Sequence, residues 1–163
     1  MAETLSVTDM LPNKFEPKRA SRWVLQIEGI DAFLIKSTAR PSMKIETITI
    51  PFINAKRYVA GGFSFDAMSL TLHDPIAPSG AQQVMEWIRT HHESVSGRSG
   101  YADFYKRDIQ LKLLDPIGTV IELWDVKGAF ITEAGYGDLK YDGDTDIVEI
   151  SLSIRFDNAI LQF

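Results

Sequence analysis

The chain contains no cysteine. That excludes a disulfide framework, a thiolate nucleophile and cysteine-ligated metal, so the fold has to hold by packing and backbone pairing alone. No run approaches the ~20 apolar residues that a membrane-spanning helix needs, and residues 1–8 carry no basic stretch followed by an apolar one. Neither stable membrane association nor a secretory leader is expected, and the expected compartment of synthesis and maturation is the cytoplasm. Histidine is scarce, at three residues. His91 and His92 are adjacent on a helical pattern, where side chains diverge by about 100° and do not share a metal as an i, i+4 pair does. His73 sits beside Asp74 on a strand pattern and reads as an ordinary strand residue. Also absent are the Gly-x-x-x-x-Gly-Lys phosphate loop, the Gly-x-Ser-x-Gly nucleophile elbow and the Gly-x-Gly-x-x-Gly dinucleotide turn. The net charge is −5 and the basic residues form no continuous stripe, which disfavours stable nucleic-acid binding. Catalytic, cofactor and metal residues are therefore all assigned as none, and no enzymatic activity is expected. The run Asp142-Gly143-Asp144-Thr145-Asp146 resembles the opening of a calcium loop, but Ile147 stands where that loop needs glycine and Ser153 where it needs a bidentate glutamate. A solvated acidic turn is the favoured reading.

What is present reads as strand. The 163 residues suit one domain spanning 1–163, large enough to bury about two thirds of its unfolded surface. After a mixed segment at 1–20, read as an extended arm, Trp23, Leu25 and Ile27 alternate with polar residues. Gly29-Ile30-Asp31 then predicts a turn, and 32–38 a second strand closing a hairpin on the first. A helix is predicted over 79–96, with Ser79 as N-cap and Val84, Trp87, Ile88, His91 and Val95 at helical spacing. Strands at 105–114 and 120–127 are joined by Asp115-Pro116-Ile117-Gly118. A glycine-rich acidic loop spans 133–146. In the last strand Val148, Ile150, Leu152, Ile154 and Phe156 alternate with Glu149, Ser151, Ser153 and Arg155. About seven strands and one helix predict a mainly β fold, a β-sandwich or partly closed barrel with one flanking helix.

The stretch 40–74 organises the rest. It begins and ends as strand, with Ile48 and Ile50 in phase at one end and Met68, Leu70 and Leu72 at the other. Pro51 and Gly61-Gly62 interrupt it, so 40–62 reads as a long irregular excursion rather than a compact hairpin. Its aromatic and aliphatic content argues against disorder, and two readings stand: an irregular loop packed on itself, and an arm that reaches another subunit. The charges are also split. Arg40, Lys44, Glu46, Lys56 and Arg57 give 40–62 a net +3, whereas 131–150 carries −5. Opposite patches on one chain suit head-to-tail association of identical copies.

The order of segments resembles the tail tube proteins of contractile-tailed bacteriophages, and with them the tubes of phage-like bacteriocins, extracellular injection systems and type VI secretion. The resemblance runs through Trp23-Val24-Leu25-Gln26-Ile27-Glu28-Gly29, Ser37-Thr38-Ala39-Arg40-Pro41, Ile48-Thr49-Ile50-Pro51-Phe52-Ile53-Asn54 and Val59-Ala60-Gly61. It continues through Leu70-Thr71-Leu72-His73-Asp74, a helix containing Trp87, Tyr105-Lys106-Arg107-Asp108, 123–130 and Ile154-Arg155-Phe156-Asp157. The resemblance implies hexameric rings that stack into the inner tube of a virion tail, assembled in the host bacterial cytoplasm, through which DNA passes during genome delivery. It implies as partners the tail sheath protein, a baseplate or tube initiator, a tail terminator and a tape measure protein. The inter-ring contact candidates are Arg40, Lys44, Phe52, Asn54, Lys56, Arg57 and Tyr58 against Asp142, Asp144 and Asp146. The lumen-facing candidates are Glu149, Ser151 and Ser153, on the wet face of the last strand. Two alternatives stand beside this: a bacteriocin or injection-system tube, and a monomeric carbohydrate- or metal-binding β-sandwich module.

Overall fold

A computed structural model describes residues 15–163. Of the arm expected at 1–20, residues 1–14 lie outside the described residues, and 15–20 form no strand or helix. The strands are β1 (Trp23–Ile27), β2 (Ile35–Thr38), β3 (Met43–Phe52), β4 (Ala55–Phe65), β5 (Met68–His73), β6 (Arg107–Leu114), β7 (Val120–Gly135), β8 (Glu149–Arg155) and β9 (Asn158–Leu161). A helix α1 (Gly80–His91) and a single turn α2 (Ala102–Tyr105) lie between β5 and β6. The body follows the order β1-β6-β7-β8-β5-β2, with β9 also on β7, while β3 and β4 pair only with each other. The sheets do not close into a barrel.

The long strand β7 builds both layers. Its first half pairs with β6 on one side and β9 on the other, and residues 130–135 pair with β8. The registers Phe130↔Arg155 and Lys127↔Asn158 place β8 and β9 on one edge of β7 as a single antiparallel run, broken at Phe156-Asp157. Gly128 faces that break with φ +67°, and a Cβ there would lie 2.2 Å from Asp157 Oδ2, so glycine is what lets β7 pass so close. The period-two alternation decides which faces meet. Leu25 and Ile27, Met68, Leu70 and Leu72, Ile109 and Leu111, and Ile150, Leu152 and Ile154 all point into one core.

Helix α1 covers this core with Val84 and Trp87. Ser79 caps its N-terminus, accepting a hydrogen bond from the Gln82 amide at 3.4 Å, and the Ala81 amide donates to Asp74 Oδ1 at 3.2 Å. The Trp87 indole donates to the Tyr105 carbonyl at 2.7 Å, with the Arg107 guanidinium 4.8 Å from the ring centroid. The helix ends at His91, short of the expected 96. Residues 92–100 fold back so that the Gly100 amide donates to the His91 carbonyl at 2.8 Å, and Val95 is left fully in solvent.

Two further expectations are corrected. The first two strands form no hairpin: a 3-10 turn at Ala32–Leu34 redirects the chain, β1 pairs with β6, and β2 pairs with β5 at the far end of the sheet path. Residues 40–62 are no irregular loop either, because β3 and β4 form a long hairpin turned at Ile53-Asn54.

Candidate functional site: the assembly surfaces

The hairpin is a ribbon with almost every side chain in solvent. By register, Ile48, Ile50, Phe52, Ala55, Arg57 and Val59 share one face toward the tip, while Met43, Ile45, Phe63 and Phe65 share the opposite face toward the base. The bulge at Gly61-Gly62, where β4 spends an extra residue against β3, separates the two apolar faces. Gly61 suits this position because an added Cβ would stand 3.2 Å from the Glu46 carbonyl and from Ile48 Cγ1. Phe52 is 71% and Ile53 is 89% exposed. Ile53 also holds φ +48°, a conformation that a β-branched residue adopts only under strain. A two-stranded ribbon alone is marginal in water, and a contiguous apolar surface of this kind marks an interaction site. At the base Phe65 lies against Phe156 of the body, 5.3 Å between ring centroids, and the ladder ends with the Asp66 amide donating to the Ser42 carbonyl at 3.0 Å.

Of the residues singled out from sequence, Lys44, Phe52, Asn54, Lys56, Arg57 and Tyr58 all stand exposed on this hairpin, and Arg40 lies in the link between β2 and β3. Asp142, Asp144 and Asp146 are exposed in the loop 136–148, which starts later than the expected 133 because Glu133 to Gly135 remain in β7. Within that loop Lys140 pairs with Asp146 at 2.7 Å. No ion pair within the subunit joins the basic hairpin to the acidic loop among the described residues.

Ser151 is exposed on the outer face of β8, with Glu149 and Ser153 partly so. Register places them beside His73, Thr71 and Ser69 of β5 and beside Gly135 and Glu133 of β7, so the sheet β2-β5-β8-β7 turns a hydroxyl-rich face away from the core. Glu149 is paired with Lys36 of β2, which balances its charge. The sheet has two free edges among the described residues, β2 on one side and residues 130–135 of β7 on the other. Its four strands alternate in direction, so these edges run antiparallel to each other.

Sequence reasoning missed one residue of consequence. Glu122 is the buried charged side chain among the described residues. Its Oε1 accepts from the Trp124 indole at 2.5 Å, and it pairs with Lys18 and with Arg40. The signal was a carboxylate in phase with Trp124 and Val126 on the core side of β7, masked by apolar Ile121 and Leu123 in the other phase. Two surface cavities, of about 500 Å3 and about 480 Å3, lie under the loop 136–148 and beside β1 and β6. No group of three or more potential metal ligands occurs among the described residues.

No family model matches the chain. It is homologous to the tail tube protein gp19 of Enterobacteria phage T4, with 26% identity over 129 residues, 77% of this chain and 78% of that protein. Among solved structures, a chain of the anti-feeding prophage tube-terminating cap superposes with a TM-score of 0.74 at 17% identity, covering 97% of this chain and 99% of that one. A chain of the sheath-tube complex of the extracellular contractile injection system PVC gives 0.71 at 17% identity over 98% and 99%. Hcp1 from Flavobacterium johnsoniae gives 0.52 at 10% identity over 86% and 94%. The mainly β architecture is that of tube proteins.

Proposed function

We propose that the chain is the structural subunit of a hollow tail tube, with six copies closing a ring and rings stacking into a conduit for genome delivery. The observation that carries this reading is the hairpin β3–β4, whose apolar surface finds no cover in its own subunit. Homology to a phage tail tube protein favours a phage tail over a bacteriocin or injection-system tube. A monomeric ligand-binding module would leave the hairpin purposeless.

Ring closure joins β2 of one copy to residues 130–135 of β7 in the next. The two edges run antiparallel, so the seam continues the pairing of the rest of the sheet and removes edges that would otherwise aggregate. Such a contact is heterologous and closes when the rotation between copies divides the circle. In that ring the hydroxyl-rich face carrying Glu149, Ser151 and Ser153 lines the bore. That face is mostly hydroxyls, with Glu133 and with Glu149 paired to Lys36; among the described residues Arg155 is its one exposed arginine, so DNA finds little there with which to replace its counterions. The role is non-enzymatic. A tail sheath outside, a baseplate or initiator below, a terminator above and a tape measure protein within the bore complete the partners, in a virion tail assembled in the host cytoplasm.

Between rings, Lys44, Lys56 and Arg57 of the hairpin approach the acidic loop of the neighbouring ring. Asp146 is already engaged by Lys140, so Asp142 and Asp144 supply most of the attraction. Replacing Lys56 and Arg57 with Glu is expected to raise the concentration needed for tube growth at least about tenfold, equivalent to about 1.4 kcal/mol. Adding Asp142→Lys and Asp144→Lys is expected to restore it, as read by light scattering. Unchanged growth of the first variant would remove the charge contact from the account.

A further inference from the structure

Glu122 makes a junction that its strand alone does not explain. Its side chain is only 6% exposed, yet it meets three separate parts of the chain: Trp124 on its own strand, Lys18 in the segment leading to β1, and Arg40, whose Nη1 lies 3.5 Å from Oε1. Arg40 stands in the link that feeds β3, just before Met43 where the hairpin begins. A carboxylate buried without partners is strongly destabilising, but Lys18 and the Trp124 indole already satisfy that demand. The Arg40 guanidinium is mostly in solvent and adds little to the core, so its contribution lies in where it sits.

We propose that Glu122 is a positioning residue for the hairpin, pinning the link at Arg40 so that β3–β4 leaves the body at a fixed angle before it meets a second copy of this chain. The inference rests on the reading of the hairpin as the stacking element. A ribbon that is free to swing loses orientational entropy on docking, and a ribbon already aimed loses less. The pin complements the contact on the β4 side of the base, Phe65 on Phe156. It also ties the segment around Lys18 to the same carboxylate, so the start of the described chain and the hairpin share one anchor.

Among the described residues the charged groups facing Glu122 are Lys18 and Arg40; Trp124 beside it on β7 and Leu113 opposite on β6 are uncharged. The hydrogen bond from Lys18 holds the carboxyl below its ordinary range, helped by the Trp124 indole and the field of both cations, while burial acts the other way. A carboxylate lowered on folding adds stability above its unfolded pKa and loses it as pH falls through the lowered value. The pin therefore holds at neutral pH and releases only in acid.

The absence of native cysteine makes the test direct. Spin labels are placed at Ala55→Cys on the hairpin tip and Glu133→Cys on the body, and their distance distribution is measured in dilute, unassembled protein at neutral pH. The expected result is a narrow distribution in the parent, at least about twofold broader in both Arg40→Gln and Glu122→Gln, with the concentration for tube growth, measured in the unlabelled proteins without the added cysteines, raised about tenfold in each. Wild-type width and growth in Arg40→Gln would overturn the proposal, including the case in which Glu122→Gln alone broadens and melts early, since Glu122 would then be only a structural buried acid. A parent that never polymerises would sink the stacking reading instead, while the width comparison would still decide the pin.

Discussion

Excising residues 46–62 and joining Ile45 to Phe63 through Asn-Gly is expected to abolish tube growth while leaving the melting temperature within a few degrees of the parent. Ile45 and Phe63 are directly paired in the ladder, so a two-residue turn closes the shortened ribbon without disturbing its base. The excised side chains contribute nothing to the core, and Phe65 keeps its packing on Phe156. A surface truncation of this kind leaves the interior untouched, so stability is expected to move little. The variant should give the β-rich circular dichroism of the parent and sediment as a subunit or an unstacked ring. Normal polymerisation of the variant would show that stacking uses another surface. A collapse of the melting transition would show that the hairpin supports its own body.

Replacing Leu152 with Asp is expected to unfold the subunit outright. Leu152 lies in the middle of β8, paired with Leu70 on one side and Ala134 on the other, and is 4% exposed. A carboxylate there would lie in a cluster of apolar side chains, and burying it costs several kcal/mol whether it stays charged or takes up a proton. That is comparable with the whole stability of an ordinary domain, about 5–15 kcal/mol. The expected observation is the loss of a cooperative melt and of near-ultraviolet dichroism at 25 °C. Leu152→Met, which keeps the volume, is expected to cost under about 1.5 kcal/mol. A cooperative melt in the Asp variant would mean that β8 does not lie at the centre of the core.

These two variants fall on the least and the most legible parts of the sequence. In β8 the alternation through Ile150, Leu152 and Ile154 specifies both the strand and its buried face, because a slip of one residue would turn all three outward. The start of α1 was equally plain, with Ser79 capping and Val84 and Trp87 a turn apart on the core side. The hairpin was misread as an irregular excursion, and the reasons are specific. Pro51 excludes a central strand, but in an isolated ribbon its missing donor faces an open edge. The turn carries no glycine: Ile53 takes the positive φ that Gly or Asn would ordinarily signal. Gly61-Gly62, taken as a break, is a bulge inside β4.

Long-range pairing explains the other differences. Gly29-Ile30-Asp31 carries local turn chemistry, and nothing nearby reveals that β1 will pair with β6 and β2 with β5. The strand β9 escaped notice because it is short and follows the Phe156-Asp157 break. For the assembly surface, the exposed apolar and basic residues of 40–62 were legible as a group, whereas the buried Glu122 that meets Arg40 was hidden by an apolar neighbour on each side.

The most direct test is electron microscopy of the purified chain across a range of concentrations, with light scattering in parallel. The account predicts annuli that give way to hollow filaments as concentration rises, with each ring reaching the next through β3–β4. An 18.3 kDa species that stays single at every concentration, and forms neither annuli nor filaments when sheath and baseplate proteins are supplied, would contradict it.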